Sequence, residues 1–83
     1  MSLLLVVRPL TVKCRAGGLP HIVYWRGRRQ SVVVVLNRWR VDTHWWDEPV
    51  SFDYFKLLLE DGTLLLLVHD SAADIWVVRR IYG

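Results

Sequence analysis

Phe52-Asp53-Tyr54-Phe55-Lys56-Leu57-Leu58-Leu59-Glu60-Asp61-Gly62-Thr63-Leu64-Leu65-Leu66-Leu67-Val68-His69 is the stretch that decides the fold. Two apolar runs flank Asp61-Gly62. Asp-Gly is a preferred two-residue turn of a β-hairpin, because type I′ geometry needs positive φ at both central positions. With Asp61-Gly62 as that loop, Glu60 faces Thr63. Leu59 then pairs with Leu64, Leu57 with Leu66 and Phe55 with Val68 on one face. Leu58 pairs with Leu65, Lys56 with Leu67 and Tyr54 with His69 on the other. The first face is apolar throughout and the second is half polar. Leu and Lys give 52–60 some helical propensity, but the adjoining turn and the matching apolar arm outweigh it.

On the N-terminal side, His21–Trp25 and Arg28–Leu36 read as the arms of a second hairpin. Arg26-Gly27 is its turn, with Gly27 supplying positive φ. Arginine fits the first turn position poorly, so a bulged turn is the alternative. The run Val32-Val33-Val34-Val35 is β-branched and favours strand. An unbroken apolar run predicts that both faces of this strand are covered. Asn37 marks a kink. Beyond it, Trp39, Val41 and Thr43 alternate with Arg38, Arg40 and Asp42, a half-buried strand with its tryptophan side inward. His44–Pro49 reads as a corner where Pro49 and its acidic neighbours preclude a regular ladder.

Toward the N-terminus, Leu10, Val12 and Cys14 alternate with Thr11, Lys13 and Arg15, predicting another half-buried strand. Residues 16–20 form a turn by composition. Leu3–Val7 lacks the basic region, length and cleavage site of a signal peptide and is far too short to span a bilayer, so it reads as a short strand. At the C-terminal end, Ile75–Tyr82 closes the series with Trp76 and Val78 on one face. Turn signals recur every 8–12 residues or so, as in small sandwiches and barrels. The expected fold is one all-β domain over 1–83. It is an antiparallel meander of about six or seven strands, closed into a barrel or partly open, with 1–7 as an N-terminal extension strand.

Composition agrees with a packed core: 53% of the 83 residues are hydrophobic, including five tryptophans. A lone cysteine, Cys14, allows no intrachain disulfide and points to a reducing, cytoplasmic setting. Alternation places Cys14 among core positions, as a small hydrophobe rather than a nucleophile. His21, His44 and His69 are scattered without ligand spacing, so neither a metal nor another cofactor is expected. Asp47-Glu48 and Glu60-Asp61 are adjacent pairs that point to opposite faces of a strand, which suits turns rather than acid–base catalysis. No nucleophile elbow or phosphate-binding glycine loop is present, so the chain reads as a non-enzyme.

Charge divides the chain. Residues 1–40 carry eight Arg/Lys and no acid; residues 41–83 carry three Arg/Lys and all eight acids. Arg26, Arg28, Arg29, Arg38 and Arg40, with Trp25 beside the hairpin turn, form a candidate nucleic-acid-binding face. Against it stands the simpler reading of a solvated basic surface. Trp45, Trp46, Asp47 and Glu48 form a second candidate, for protein interaction. Adjacent tryptophans cannot both point inward on a strand; the second is either an exposed interface anchor at a turn or a cap on the open end of a barrel.

Several blocks occur in order: Arg26-Gly27-Arg28, Asn37-Arg38-Trp39-Arg40-Val41-Asp42, Trp45-Trp46-Asp47-Glu48-Pro49-Val50-Ser51, Asp53-Tyr54-Phe55, Leu59-Glu60-Asp61-Gly62 and Trp76…Arg80-Ile81-Tyr82. In these the chain resembles, over roughly residues 8–83, a small bacterial domain-of-unknown-function family. Members occur alone and at the C-terminus of ImuB-like proteins, which are inactive relatives of Y-family DNA polymerases in damage-induced mutagenesis. Phe52 and the apolar 70–74 loop depart from the pattern.

The resemblance implies an accessory, non-catalytic module in DNA repair or translesion synthesis whose partner is a protein of the repair or replication machinery. It assigns no catalytic residue. DNA bound by the basic hairpin is the second partner class. A homodimer through the apolar face around Leu65 and Leu67 is the third reading. No membrane partner is expected.

Overall fold

A computed structural model describes residues 9–45 and 48–82, with the side chains of 44–49 excluded. The segment Leu3–Val7 lies outside the described residues. Six strands are present: β1 (Val12–Cys14), β2 (Pro20–Trp25), β3 (Arg28–Trp45), β4 (Glu48–Leu59), β5 (Leu64–Asp70) and β6 (Ile75–Tyr82). They form a single sheet in chain order, each antiparallel to the next, curled into a half-barrel. Leu10, ahead of β1, bridges to β6 by donating its N–H to the Trp76 carbonyl at 2.8 Å. The expected antiparallel meander is the fold observed.

The concave face holds the core. Val23 of β2, Phe55, Leu57 and Leu59 of β4, Leu65 and Leu67 of β5 and Trp76 of β6 pack together there. Val12, Trp25, Val32, Val35 and Val78 close around them. Phe55 and Trp76 meet at 5.3 Å between ring centroids, and the His69 ring stacks on the other side of Trp76 at 4.3 Å.

The β2–β3 turn takes the simpler of its two expected forms. Arg26 and Gly27 both have positive φ (53° and 75°), and Trp25 pairs with Arg28, so the loop has two residues and no bulge.

The β4–β5 hairpin differs from expectation by one residue. Leu58 pairs with Leu64, Leu57 with Leu65, Lys56 with Leu66, Phe55 with Leu67 and Tyr54 with Val68. The loop is Glu60-Asp61-Gly62. The Gly62 N–H donates to the Leu59 carbonyl (3.0 Å), the Leu59 N–H to the Thr63 carbonyl (2.9 Å), and Gly62 has φ +90°. This is a three-residue loop, a turn followed by a glycine in the left-handed region. The Asp61 carboxylate accepts from the Thr63 N–H (2.9 Å) and from Gln30 Nε2 (3.1 Å). A one-residue slip exchanges the faces of a strand. Leu65 and Leu67 therefore point into the core with no exposed surface. The apolar face around them is not available for a homodimer.

A deletion follows from this geometry. Removing Glu60 leaves Asp61-Gly62 flanked by Leu59 and Thr63, which already face each other. The register is kept and a two-residue type I′ turn can form. The cost is the Glu60 N–H bond to Ser31 (3.0 Å), worth about 0.5–1.5 kcal/mol. The variant should fold, with a melting temperature within about 10 °C of the parent by circular dichroism. Deleting Leu58 instead shifts the strand itself, turns Phe55 and Leu57 outward and should abolish the transition.

β3 departs most from its sequence pattern. Register shifts fall between Val32 and Val34 and between Val35 and Asn37, so Val33 and Leu36 are extra residues at two bulges. The valine run is not covered on both sides: Val33 is 61% and Leu36 50% exposed. Past the second bulge, Arg38 and Arg40 pair with Phe55 and Asp53, whereas Trp39 pairs with Tyr54. Paired residues share a face, so the arginines lie on the concave side and Trp39 on the outer one. The expected tryptophan-in orientation is reversed. Trp39 is 38% exposed and stacks on Tyr54 at 5.2 Å, 7° from parallel.

Cys14 also differs. A register shift falls between Lys13 and Cys14, the last residue of β1, and Cys14 is exposed rather than core-facing. Partial shielding of its thiol and the negative charge of Asp74 push its pKa up, which disfavours the reactive thiolate.

Candidate interaction surfaces

The ladder between β3 and β4 does not stop at the expected corner. It continues through Thr43–Val50, His44–Pro49 and Trp45–Glu48. β5 reaches along β4 only to Phe52, opposite Asp70, and β2 reaches along β3 only to Ser31. Val41–Trp45 and Glu48–Ser51 therefore form a two-stranded arm with no third strand among the described residues. Proline is tolerated in such a strand because its missing N–H removes no bond to a further neighbour. Ser71 steadies the arm's base, donating from its N–H (3.3 Å) and hydroxyl (3.2 Å) to the Ser51 carbonyl. Trp45 and Glu48 are the last pair of the arm. Trp46 and Asp47 lie outside the described residues, as do the side chains of Trp45 and Glu48.

An ion pair joins β3 to β4 just below the arm. Arg40 Nε donates to Asp53 Oδ1 at 2.9 Å, and Nη2 reaches Oδ2 at 3.4 Å. Asp53 is buried while the Arg40 side chain is 57% exposed. The hydrogen bonds and charge of Arg40 hold the Asp53 carboxyl below its usual range, in spite of desolvation, with smaller help from His69 and Arg38. Farther out, the Ser51 hydroxyl donates to Asp42 Oδ1 at 2.6 Å. Arg38 lies over the Phe55 ring at 5.4 Å.

The five arginines do not form one cluster. Arg26, Arg28 and Arg29 are exposed at the β2–β3 turn. Arg26 covers the half-buried Trp25 ring at 5.0 Å, and that ring packs against the core. Arg38 and Arg40 lie nine or more residues along β3, roughly 30 Å of strand contour away, and Arg40 is already engaged by Asp53.

Three features of these surfaces escaped the sequence reading: Asp53 as a buried partner, the Trp39–Tyr54 stack and the side of β3 that no described strand covers beyond Ser31. The first had a usable signal. An acid flanked by aromatics inside a strand pattern must find a cation when buried, and Arg38 and Arg40 were the cations on the adjacent strand.

Among the described residues, no three His, Cys, Asp or Glu side chains are grouped so as to hold a metal ion. No described helix is long and apolar enough to cross a membrane. Comparison with protein families, with characterised proteins and with solved structures returns no match.

Proposed function

We propose that the chain is a non-enzymatic docking module in a bacterial DNA-repair or translesion-synthesis setting, with the tip of the β3–β4 arm as its contact site. The observation that carries this reading is the arm itself. It projects past β2 and β5, and its last pair is Trp45–Glu48. That tip is also the most specific block of the resemblance to domains of ImuB-like proteins, which supplies the setting. A two-stranded arm whose last described pair is a tryptophan and an acid suits an anchor that enters a pocket on a protein partner, since a few aromatic residues usually dominate binding energy.

Binding of an ImuB-like protein to the full chain, measured by calorimetry, tests the proposal. Replacing both Trp45 and Trp46 by alanine should weaken it at least about 30-fold, the scale of a hot spot near 2 kcal/mol. The melting temperature should stay nearly unchanged, because the arm extends past both β2 and β5. Undiminished affinity in the double variant would overturn the reading.

The basic hairpin supports a nucleic-acid reading less well. Its cations divide into two groups, and one member of the second group neutralises Asp53.

A further inference from the structure

Among the described residues, β6 has a partner strand along one side only. β5 pairs with it from Ile75 to Tyr82. Its other side shows a single bridge, from Trp76 to Leu10. That bridge sets a direction. The two residues are antiparallel, and Leu10 donates its N–H to the Trp76 carbonyl at 2.8 Å. A chain that arrives at Leu10 in this sense runs beside β6 from Tyr82 toward Trp76. Backbone groups alternate sides along a strand, and no register shift falls between Trp76 and Val78. The Val78 N–H and C=O therefore point away from β5, as the Trp76 carbonyl does. Pro9 suits the same course. Next to Leu10, its backbone faces away from β6, where proline's missing N–H removes no bond to that strand.

A groove opens along this side of β6. It extends from Pro9 and Leu10, between Tyr24 and Trp25 at the end of β2 and Val78 and Ile81 of β6. Ile81 pairs with Leu65 and so shares its core-facing side. Leu65 has no exposed surface, yet Ile81 is 45% exposed. At this corner the core side of the sheet lacks a cover among the described residues. Folded proteins usually close an open strand edge beside exposed apolar surface, because it is a template for another strand.

The sequence supplies a segment of matching length and character. Leu3-Leu4-Leu5-Val6-Val7, outside the described residues, is separated from Pro9 by Arg8 alone. Five residues extend about 17 Å as a strand, the same as the run from Val78 to Tyr82. We propose that Leu3–Val7 is a seventh strand that seats in this groove, antiparallel to β6, and closes the half-barrel. Continuing the Leu10–Trp76 register sets Leu5 beside Ile81, to within one residue, since Arg79 is an extra residue of β6. Every residue of the segment is apolar, so either register lays a leucine or valine over Ile81. The short tether raises the segment's concentration at the groove to the order of millimolar, above that of a second copy in dilute solution. The inference does not depend on the docking reading above.

Nuclear magnetic resonance on the full chain tests it. Nuclear Overhauser contacts are expected between the methyl groups of Leu3–Val7 and those of Ile81, and they should persist on dilution. The Val78 N–H should exchange with solvent at least about 100-fold more slowly than in an unstructured chain. Leu5→Asp combined with Val6→Asp places a charge toward the groove in either register. This variant should speed exchange at Val78 at least about tenfold and leave the Leu66 N–H, in the middle of the sheet, unchanged.

Absence of the methyl contacts in the parent chain overturns the proposal, and that readout stands even where the double variant fails to fold. So does a Val78 N–H that exchanges as fast as in an unstructured chain. Contacts that vanish on dilution together with a dimer in sedimentation also overturn it, and assign the groove to the segment of a second copy.

Discussion

Leu67→Asp should unfold the domain. Leu67 has no exposed surface and sits between Phe55 and Val78 across the ladder. A carboxylate there has no partner within the apolar cluster, and an unpaired buried charge belongs to the short class of changes that cost more than about 4–5 kcal/mol. A domain of this length has roughly 4–12 kcal/mol in total. The expected result is loss of the cooperative thermal transition and of near-ultraviolet circular dichroism. Leu67→Met preserves volume and should cost less than about 1.5 kcal/mol. The pair also discriminates between the two registers of the hairpin. Were Leu67 on the other face beside Lys56, the Asp variant would remain folded and would change only the association of the chain. A native melting curve for Leu67→Asp would show that the one-residue loop difference has been misplaced.

Phe55→Ala is the second large effect. The ring is fully buried, meets Trp76 at 5.3 Å and lies under the Arg38 guanidinium at 5.4 Å. Removal of a buried phenylalanine typically costs about 3–5 kcal/mol, from lost transfer energy plus the residual cavity. At about 4–8 °C per kcal/mol for a domain of this size, the melting temperature should fall by roughly 15–30 °C. Pairing it with Trp76→Ala in a double-mutant cycle should give a coupling of about 0.5–1.5 kcal/mol for the aromatic contact. A fall of only a few degrees would mean that the core does not centre on this pair.

The fold class was legible because hairpin chemistry is local. Arg26-Gly27 and Asp61-Gly62 mark their turns whatever the rest of the chain does. Register was less legible, since it hangs on a single residue: Glu60 joins the loop rather than the strand, and that exchanges the two faces of β5. The orientation of Trp39 was lost for a different reason. Alternation separates two faces but does not say which is inside. Here the buried carboxylate of Asp53 draws Arg40 to the concave side and leaves Trp39 to stack on Tyr54 outside. The valine run misled because its composition matches that of a central strand, whereas two bulges and the early end of β2 expose it. For the candidate site, the Trp45–Glu48 block was visible as an unusual sequence. Its setting at the end of a projecting arm was not, because that depends on where β2 and β5 stop.

The Leu10–Trp76 bridge has a bearing on how the chain reaches its fold. All other strand pairing joins neighbours in sequence, which closes short loops and favours rapid formation of hairpins. The bridge alone joins the two ends of the described chain. Its loop-closure entropy is the largest among the described pairings, and one backbone hydrogen bond of 2.8 Å anchors it. The seam of the half-barrel should thus be the last described contact to form and the first to open. The Leu10 amide should lose protection from solvent exchange through a local fluctuation well below the global unfolding free energy.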